Sequence, residues 1–118
     1  MARYVRVDNL TRGTSPAERC RVAASLRDRT VGLLATPSLS AGEGLLIERT
    51  QSIHMFFMRY PLDVVFTDVE GRVVFLYRGI KPWRMGRIVK GAKRAIELPE
   101  GTVERTCTEV GDVLKLKP

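Results

Sequence analysis

Metal ligands are scarce in this chain. His54 is its only histidine, and its two cysteines, Cys20 and Cys107, lie far apart and match neither a C-x-x-C nor a zinc spacing. One imidazole and two distant thiols cannot supply the three or four ligands of a metal centre, so neither a metal site nor a cofactor is expected. Free thiols are the favoured state of both cysteines, as in a reducing compartment. No apolar run approaches the roughly 20 residues that a membrane helix needs. The opening MARYVRVDNL lacks the apolar segment of a signal peptide, which gives a cytoplasmic location and no membrane partner as the expectation. Repeats and low-complexity linkers are missing too. Acidic residues are absent from the whole interval between Gly71 and Ile96.

What is present fits an ordinary globular protein. The 118 residues are 44% hydrophobic and 28% charged, enough for one core and too few for two, so residues 1–118 are expected to form one domain. The densest apolar stretch is Ile53 to Phe66, IHMFFMRYPLDVVF, whose only interruptions with chemistry are His54, Arg59 and Asp63. Alternation puts Ile53, Met55, Phe57 and Arg59 on one face and His54, Phe56, Met58 and Tyr60 on the other. Both faces are mostly apolar, which predicts a central strand covered on both sides, broken by Pro61 before a second strand over Leu62 to Thr67.

The rest of the chain reads mainly as β. Strands are predicted at Tyr4 to Val7, Arg19 to Ala23, Leu45 to Ile47, Val73 to Tyr77, Ala95 to Leu98 and Asp112 to Leu116. Ser25 followed by Asp28 resembles a capping box and predicts a helix through Leu34, and Thr102 is placed to cap a helical turn through Thr106. Gly71 suits the left-handed position of a hairpin tip between Phe66 and Val73. Arg78 to Arg94, broken by Gly79, Pro82, Gly86 and Gly91, is expected to be a long surface excursion. The predicted fold is a mainly β antiparallel sandwich or jelly-roll-like barrel with one or two short helices.

Blocks along the chain resemble the domain of unknown function 192 family. They are Gly32 to Leu34, GEGLLI (Gly42 to Ile47), IHMFFMRYPLDVVF, Gly71-Arg72-Val73-Val74, Pro82-Trp83-Arg84, ELPEGT (Glu97 to Thr102) and Gly111-Asp112, in that order. The resemblance covers nearly everything from Arg19 onward. It implies a β-sandwich or jelly-roll architecture and, for lack of any established activity in the family, no catalytic role. Many members carry Trp-Met-Lys/Arg-Asn-Thr and further residues before Pro-Leu-Asp. Here Phe57-Met58-Arg59-Tyr60 runs straight into Pro61-Leu62-Asp63, without the Asn and Thr.

Three chemical readings compete. Ser52, His54 and Asp63 could be drawn as a hydrolase triad, but no nucleophile-elbow pattern surrounds Ser52, and a hydrogen-bonded structural histidine explains His54 as well. No catalytic residue is therefore assigned. Asp63 is expected to be buried and to need a cationic partner, with Arg59 or Arg84 as candidates. It either pins the Pro82-Trp83-Arg84 segment to the sheet or, with Arg59 and Arg84, forms the polar end of a pocket lined by Trp83, Phe57 and Met85. Such a pocket suits an anionic small molecule, a peptide or an acidic partner. Finally, Arg78, Lys81, Arg84, Arg87, Lys90 and Lys93 recur every three residues and Arg94 follows, seven cations that equal the formal net charge of +7. With Trp83 and Tyr77 among them, Arg78, Lys81, Arg87, Lys90, Lys93 and Arg94 could track a single-stranded nucleic acid, or they could form a solvated basic loop. Non-catalytic binding at the Trp83 face is the leading expectation, nucleic-acid binding the rival, and hydrolysis the third.

Overall fold

The computed structural model describes residues 3–23, 39–53, 55 and 58–118, so the helix expected at Ser25 to Leu34, His54 and Phe57 lie outside the described residues. The strands are β1 (Arg3–Asn9), β2 (Thr14–Ala23), β3 (Glu43–Glu48), β4 (Leu62–Thr67), β5 (Val73–Ile80), β6 (Arg94–Pro99) and β7 (Leu114–Lys117), and a short helix, α1 (Thr102–Arg105), follows β6. They form one seven-stranded sheet in the order β5-β4-β6-β3-β2-β1-β7. All neighbours are antiparallel except β2 and β3, whose parallel pairing runs from Arg19 opposite Glu43 to Ala23 opposite Ile47. A parallel pair needs a crossover of a dozen or more residues, and residues 24–42 supply it. Short-range patterns carry no signal for such a pairing.

The sheet curls until its two edges touch. Arg72, just before β5, bridges Val113, just before β7. Around that bridge Val73 N–H donates to Asp112 O at 2.8 Å, Leu114 N–H to Gly71 O at 2.8 Å and Gly111 N–H to Val73 O at 2.8 Å. The result is the barrel form of the expected mainly β fold, closed along part of one seam, which covers strand edges that would otherwise be open to other chains. Gly71 takes φ 89° at the β4–β5 hairpin, as its place at the tip predicts. Asp68 Oδ1 completes that turn by accepting from the amides of Glu70 and Arg72, both at 2.9 Å.

Two apolar clusters lie on opposite faces of the sheet. One takes Val5 and Val7, Ala17 and Cys20, Leu46, Val65, Val73, Ile96 and Leu98, and Leu114, so every strand contributes, as the enclosed face of a barrel requires; Val103 of α1 joins it. The other draws on β2 to β6 and on neither β1 nor β7: Ala23, Leu45 and Ile47, Leu62, Val64 and Phe66, Ile80 and Ala95. That outer face is roofed by Ile53, Met55, Met58, Val89 and Ala92 from outside the strands. β4 is consequently buried at all six positions. Burying side chains of this size stabilises the fold by about 1.5–3 kcal/mol each.

This arrangement corrects the expectation for Ile53 to Tyr60. The described residues of the stretch are buried apolar groups, apart from Arg59 and Tyr60 at its end, but none belongs to a strand of the sheet. The strand covered on both faces is β4, and the preceding stretch is part of its cover. An apolar run cannot distinguish the two roles, because roof and sheet bury the same surface.

Other boundaries moved for local reasons. β2 begins at Thr14, five residues before the expected Arg19, and buries Pro16 where the β1–β2 register jumps between Val7–Ala17 and Asn9–Thr14. A proline is tolerated at such an irregularity because no ladder bond is required of it. α1 forms where a helical turn was expected, but Thr102 is its first residue and not its cap: the N-cap is Gly101, with no side-chain cap bond. Its amides are met instead by Asp63.

Both cysteines are free thiols, Cys20 buried in the enclosed cluster and Cys107 exposed. Burial pushes the Cys20 thiol up to about 12, with the nearby charge of Glu97 adding to it. Thiol titration without reductant is expected to count Cys107 alone in the folded protein and Cys20 as well in denaturant. A denatured protein with no reactive thiol would contradict this arrangement.

Candidate functional site

The roof over the outer face presents the most distinctive surface. Residues 83–89 are laced to 51–55 by backbone hydrogen bonds. Trp83 N–H donates to Met55 O at 2.7 Å, Met55 N–H to Arg84 O at 2.7 Å, Gly86 N–H to Ile53 O at 2.9 Å and Val89 N–H to Gln51 O at 2.7 Å. Gly86 permits the close approach, since a Cβ there would lie 2.9 Å from Ile53 O. The lacing turns Ile53, Met55 and Val89 inward and leaves Trp83, Met85 and Ile88 outside, at 58%, 71% and 73% exposure. Trp83 is held at φ 67°, a left-handed conformation that costs a non-glycine residue about 1–2 kcal/mol. Its amide bond to Met55 O offsets part of that strain.

Exposed cations flank these apolar groups. Lys81, Arg84, Arg87 and Lys90 lie on the strap itself and Arg78 lies on β5, all exposed. Arg87 is partly tied down, its guanidinium 5.0 Å from the centre of the Phe75 ring and its backbone N–H donating to Tyr77 Oη at 2.9 Å. Lys93 and Arg94 stand elsewhere. With Glu48, Arg49, Thr50 and Gln51 they line a cleft of about 900 Å³ where β3 ends and β6 begins. The evenly spaced cations of the sequence therefore divide between an exposed strap and a cleft.

Asp63 departs most from expectation. It is 1% exposed, and its carboxylate is bonded to amides instead of Arg59 or Arg84. Oδ1 accepts from Gly79 N–H at 2.8 Å, and Oδ2 accepts from Gly101 N–H at 3.1 Å and Val103 N–H at 2.8 Å. Backbone amides satisfy a buried carboxylate as well as a cation does, and they leave no trace in side-chain composition. Asp63 thus fastens β4 to β5 and to the start of α1, and it does not line the Trp83 face. Arg59 and Arg84 are both exposed. The triad arrangement also fails on its described members, because Ser52 Oγ donates to Gly86 O at 3.3 Å while both Asp63 oxygens are occupied by amides.

Two further polar features escaped the sequence reading. Glu97 on β6 is fully buried at 0% exposure, paired in register with Leu45 and Val64. Its one signal was an acidic residue inside an apolar strand. Beside the seam, Asp112 Oδ2 accepts from Asn9 Nδ2 at 3.0 Å, Arg12 Nε at 3.0 Å and the Glu109 amide at 3.0 Å. Burial pushes the Asp112 carboxyl up, but the bonds from Arg12, Asn9 and the Glu109 amide outweigh it and hold the group below the usual carboxylate range. This cluster ties β1 to the segment before β7 and is structural. Among the described residues no three His, Cys, Asp or Glu side chains are grouped to hold a metal, and no helix is long and apolar enough to cross a membrane.

A partly closed, mainly β barrel roofed on one face by a basic strap is the class of protein that fold and surface define. The chain belongs to the domain of unknown function 192 family, described as "Uncharacterized ACR, COG1430", whose pattern matches residues 8–116. The match begins within β1, earlier than the Arg19 start of the sequence resemblance. The UPF0127 protein of Thermococcus sibiricus is 38% identical over 108 residues, which span 88% of this chain and 70% of that one. The UPF0127 protein of Pyrococcus furiosus is 33% identical over 110 residues, 91% of this chain and 94% of that one. A crystal structure of a protein of unknown function from Novosphingobium aromaticivorans superposes with a TM-score of 0.79 at 19% identity, covering 97% of this chain and 84% of that one. At that identity the likeness is one of fold.

Proposed function

We propose that the protein is a non-catalytic binding module whose Trp83 face takes an acidic peptide or protein partner. The observation that carries the reading is Trp83 itself, more than half exposed and fixed in a strained conformation between exposed Lys81 and Arg84. Solvent alone would favour the opposite arrangement, with the indole inward. Tryptophan and arginine are the residue types that dominate protein interfaces, and flanking cations raise the rate of encounter with an acidic surface. Arg59 and Arg84 supply guanidinium groups for carboxylates, and Met85 extends the apolar contact.

The rival occupant is a single-stranded nucleic acid, favoured by the lack of any acidic residue between Gly71 and Ile96. Titrations with acidic aromatic peptides and with oligothymidine over a range of salt separate the two. For the peptides, Trp83→Ala is expected to weaken binding of wild-type affinity at least about tenfold, the effect of losing a central aromatic anchor. Peptides that fail to bind at about 50 mM salt, where electrostatic attraction is strong, would overturn the proposal. Oligothymidine engaging about five phosphates would instead give a log K against log salt slope near −3.5, flattened by about two when Lys81, Arg87 and Lys90 become Ser. That result would transfer the Trp83 face to the nucleic-acid reading.

A further inference from the structure

We propose that the cleft at the end of β3 is a second binding site, independent of the Trp83 face, for a small amphiphilic anion: a carboxylate or phosphate head on an apolar body.

The backbone gathers the charges there. Arg94, the first residue of β6, is paired in register with Glu48 at the end of β3 and with Thr67 at the end of β4. The preceding residue is clipped from both sides, Lys93 N–H donating to Thr67 O at 2.8 Å and Lys93 O accepting from Thr50 N–H at 3.2 Å. Arg49 follows β3 at φ 57°, so its side chain leaves the strand in a direction that an extended residue would not give it. Strained residues of this kind concentrate at sites where a ligand is clamped.

Three cations and one carboxylate therefore line the same cleft. The ion pairs among the described residues join Arg6 and Lys117 to Asp8 and Arg12 to Glu109 and Asp112, none of them in this cleft. Arg49, Lys93 and Arg94 have no ion-pair partner among the described residues, and Glu48 makes none with Arg94 although the two are opposite in register. Three cations against one carboxylate leave the cleft net positive, which favours an anion between them. Part of the lining is different in character: Val69 and Ile88 are 66% and 73% exposed there, apolar surface beside the charged groups. The cleft of about 900 Å³ has the size of a small-molecule site. A head group alone would leave Val69 and Ile88 wet, whereas an attached apolar body would cover them.

Calorimetric titration of the full chain tests this with decanoate and phenyl phosphate as amphiphiles, inorganic phosphate and acetate as heads, and decanol as body. Either amphiphile is expected to bind at least about tenfold tighter than head or body alone. Lys93→Gln, at an exposed position where folding is not at stake, and Arg49→Gln should each weaken amphiphile binding about tenfold or more. Ile88→Ser should weaken the amphiphiles but not inorganic phosphate, and Trp83→Ala should leave all of them unchanged. In amide chemical-shift maps the perturbations should centre on Arg49 to Gln51 and Lys93. The proposal is overturned if amphiphiles bind no better than inorganic phosphate, if the Lys93 and Arg49 variants bind like wild type, or if Trp83→Ala removes binding. Binding only to anionic vesicles, with no saturable binding of the free amphiphiles, would also overturn it, in favour of a membrane surface.

Discussion

Asp63→Asn is expected to lower stability by about 2–4 kcal/mol. The carboxylate meets three backbone amides with both oxygens, and a carboxamide has one oxygen and one N–H₂ group. If the amide oxygen serves Gly101 and Val103, the N–H₂ group faces the Gly79 N–H, donor against donor. If it serves Gly79, two donors at the start of α1 are stranded. Either choice removes a charge-assisted bond and leaves a donor unsatisfied, part-buried at Gly79 or buried at Val103, each effect worth about 1–3 kcal/mol. Denaturant titration measures the loss, and hydrogen exchange should quicken at the Gly79, Gly101 and Val103 amides. Arg84→Ala in the same background should be additive within about 0.5 kcal/mol, because all three bonds to the carboxylate come from amides and Arg84 is exposed elsewhere. A loss below about half a kcal/mol, or strong coupling to Arg84, would return Asp63 to the functional surface.

Gly71→Ala should be at least as damaging, with an expected loss of about 3–5 kcal/mol. Two effects add. Any Cβ at φ 89° is strained, and at this position it would collide with the backbone carbonyl oxygen of Leu114. Neither partner can swing away as a flexible side chain would, so relief requires opening the seam and its backbone hydrogen bonds between 71–73 and 111–114. Gly91→Ala provides the control. Gly91 has φ 88°, but a methyl group on its Cα would meet nothing within 4 Å, so it bears the strain alone, about 1–2 kcal/mol. Melting curves or denaturant midpoints that place the two variants together would show that closure of the barrel at this seam contributes little.

The Trp83 face and the cleft were legible to different degrees. Trp83, Met85 and their cations sit among turn-forming residues, and a basic run broken by Gly79, Pro82, Gly86 and Gly91 reads as an excursion from the sheet. That β5 extends into it as far as Ile80, and that Val89 and Ala92 are buried against the outer face, was not legible. The cleft was not legible at all. Lys93 and Arg94 look like the tail of the same periodic series, and Arg49 lies over forty positions away in the chain. Only the pairing of β3 with β6 brings Glu48 and Arg49 beside them.

Local chemistry by itself determined the β class, the β4–β5 hairpin with Gly71 at its tip, the short turn of helix after Pro99, the absence of metal-ligand spacings and the basic character of the strap. Each of these depends on contacts between near neighbours in sequence, or on composition alone. Tertiary structure decided the rest: that β2 and β3 run parallel, that the sheet closes at Arg72 and Val113, that Ile53, Met55 and Met58 cover the sheet instead of joining it, and that the Asp63 carboxylate is met by amides. Those outcomes turn on backbone groups and on partners many residues apart. A side-chain pattern records how much apolar surface a segment must bury, but it does not record which distant surface will cover it or which distant amide will donate to its carboxylate.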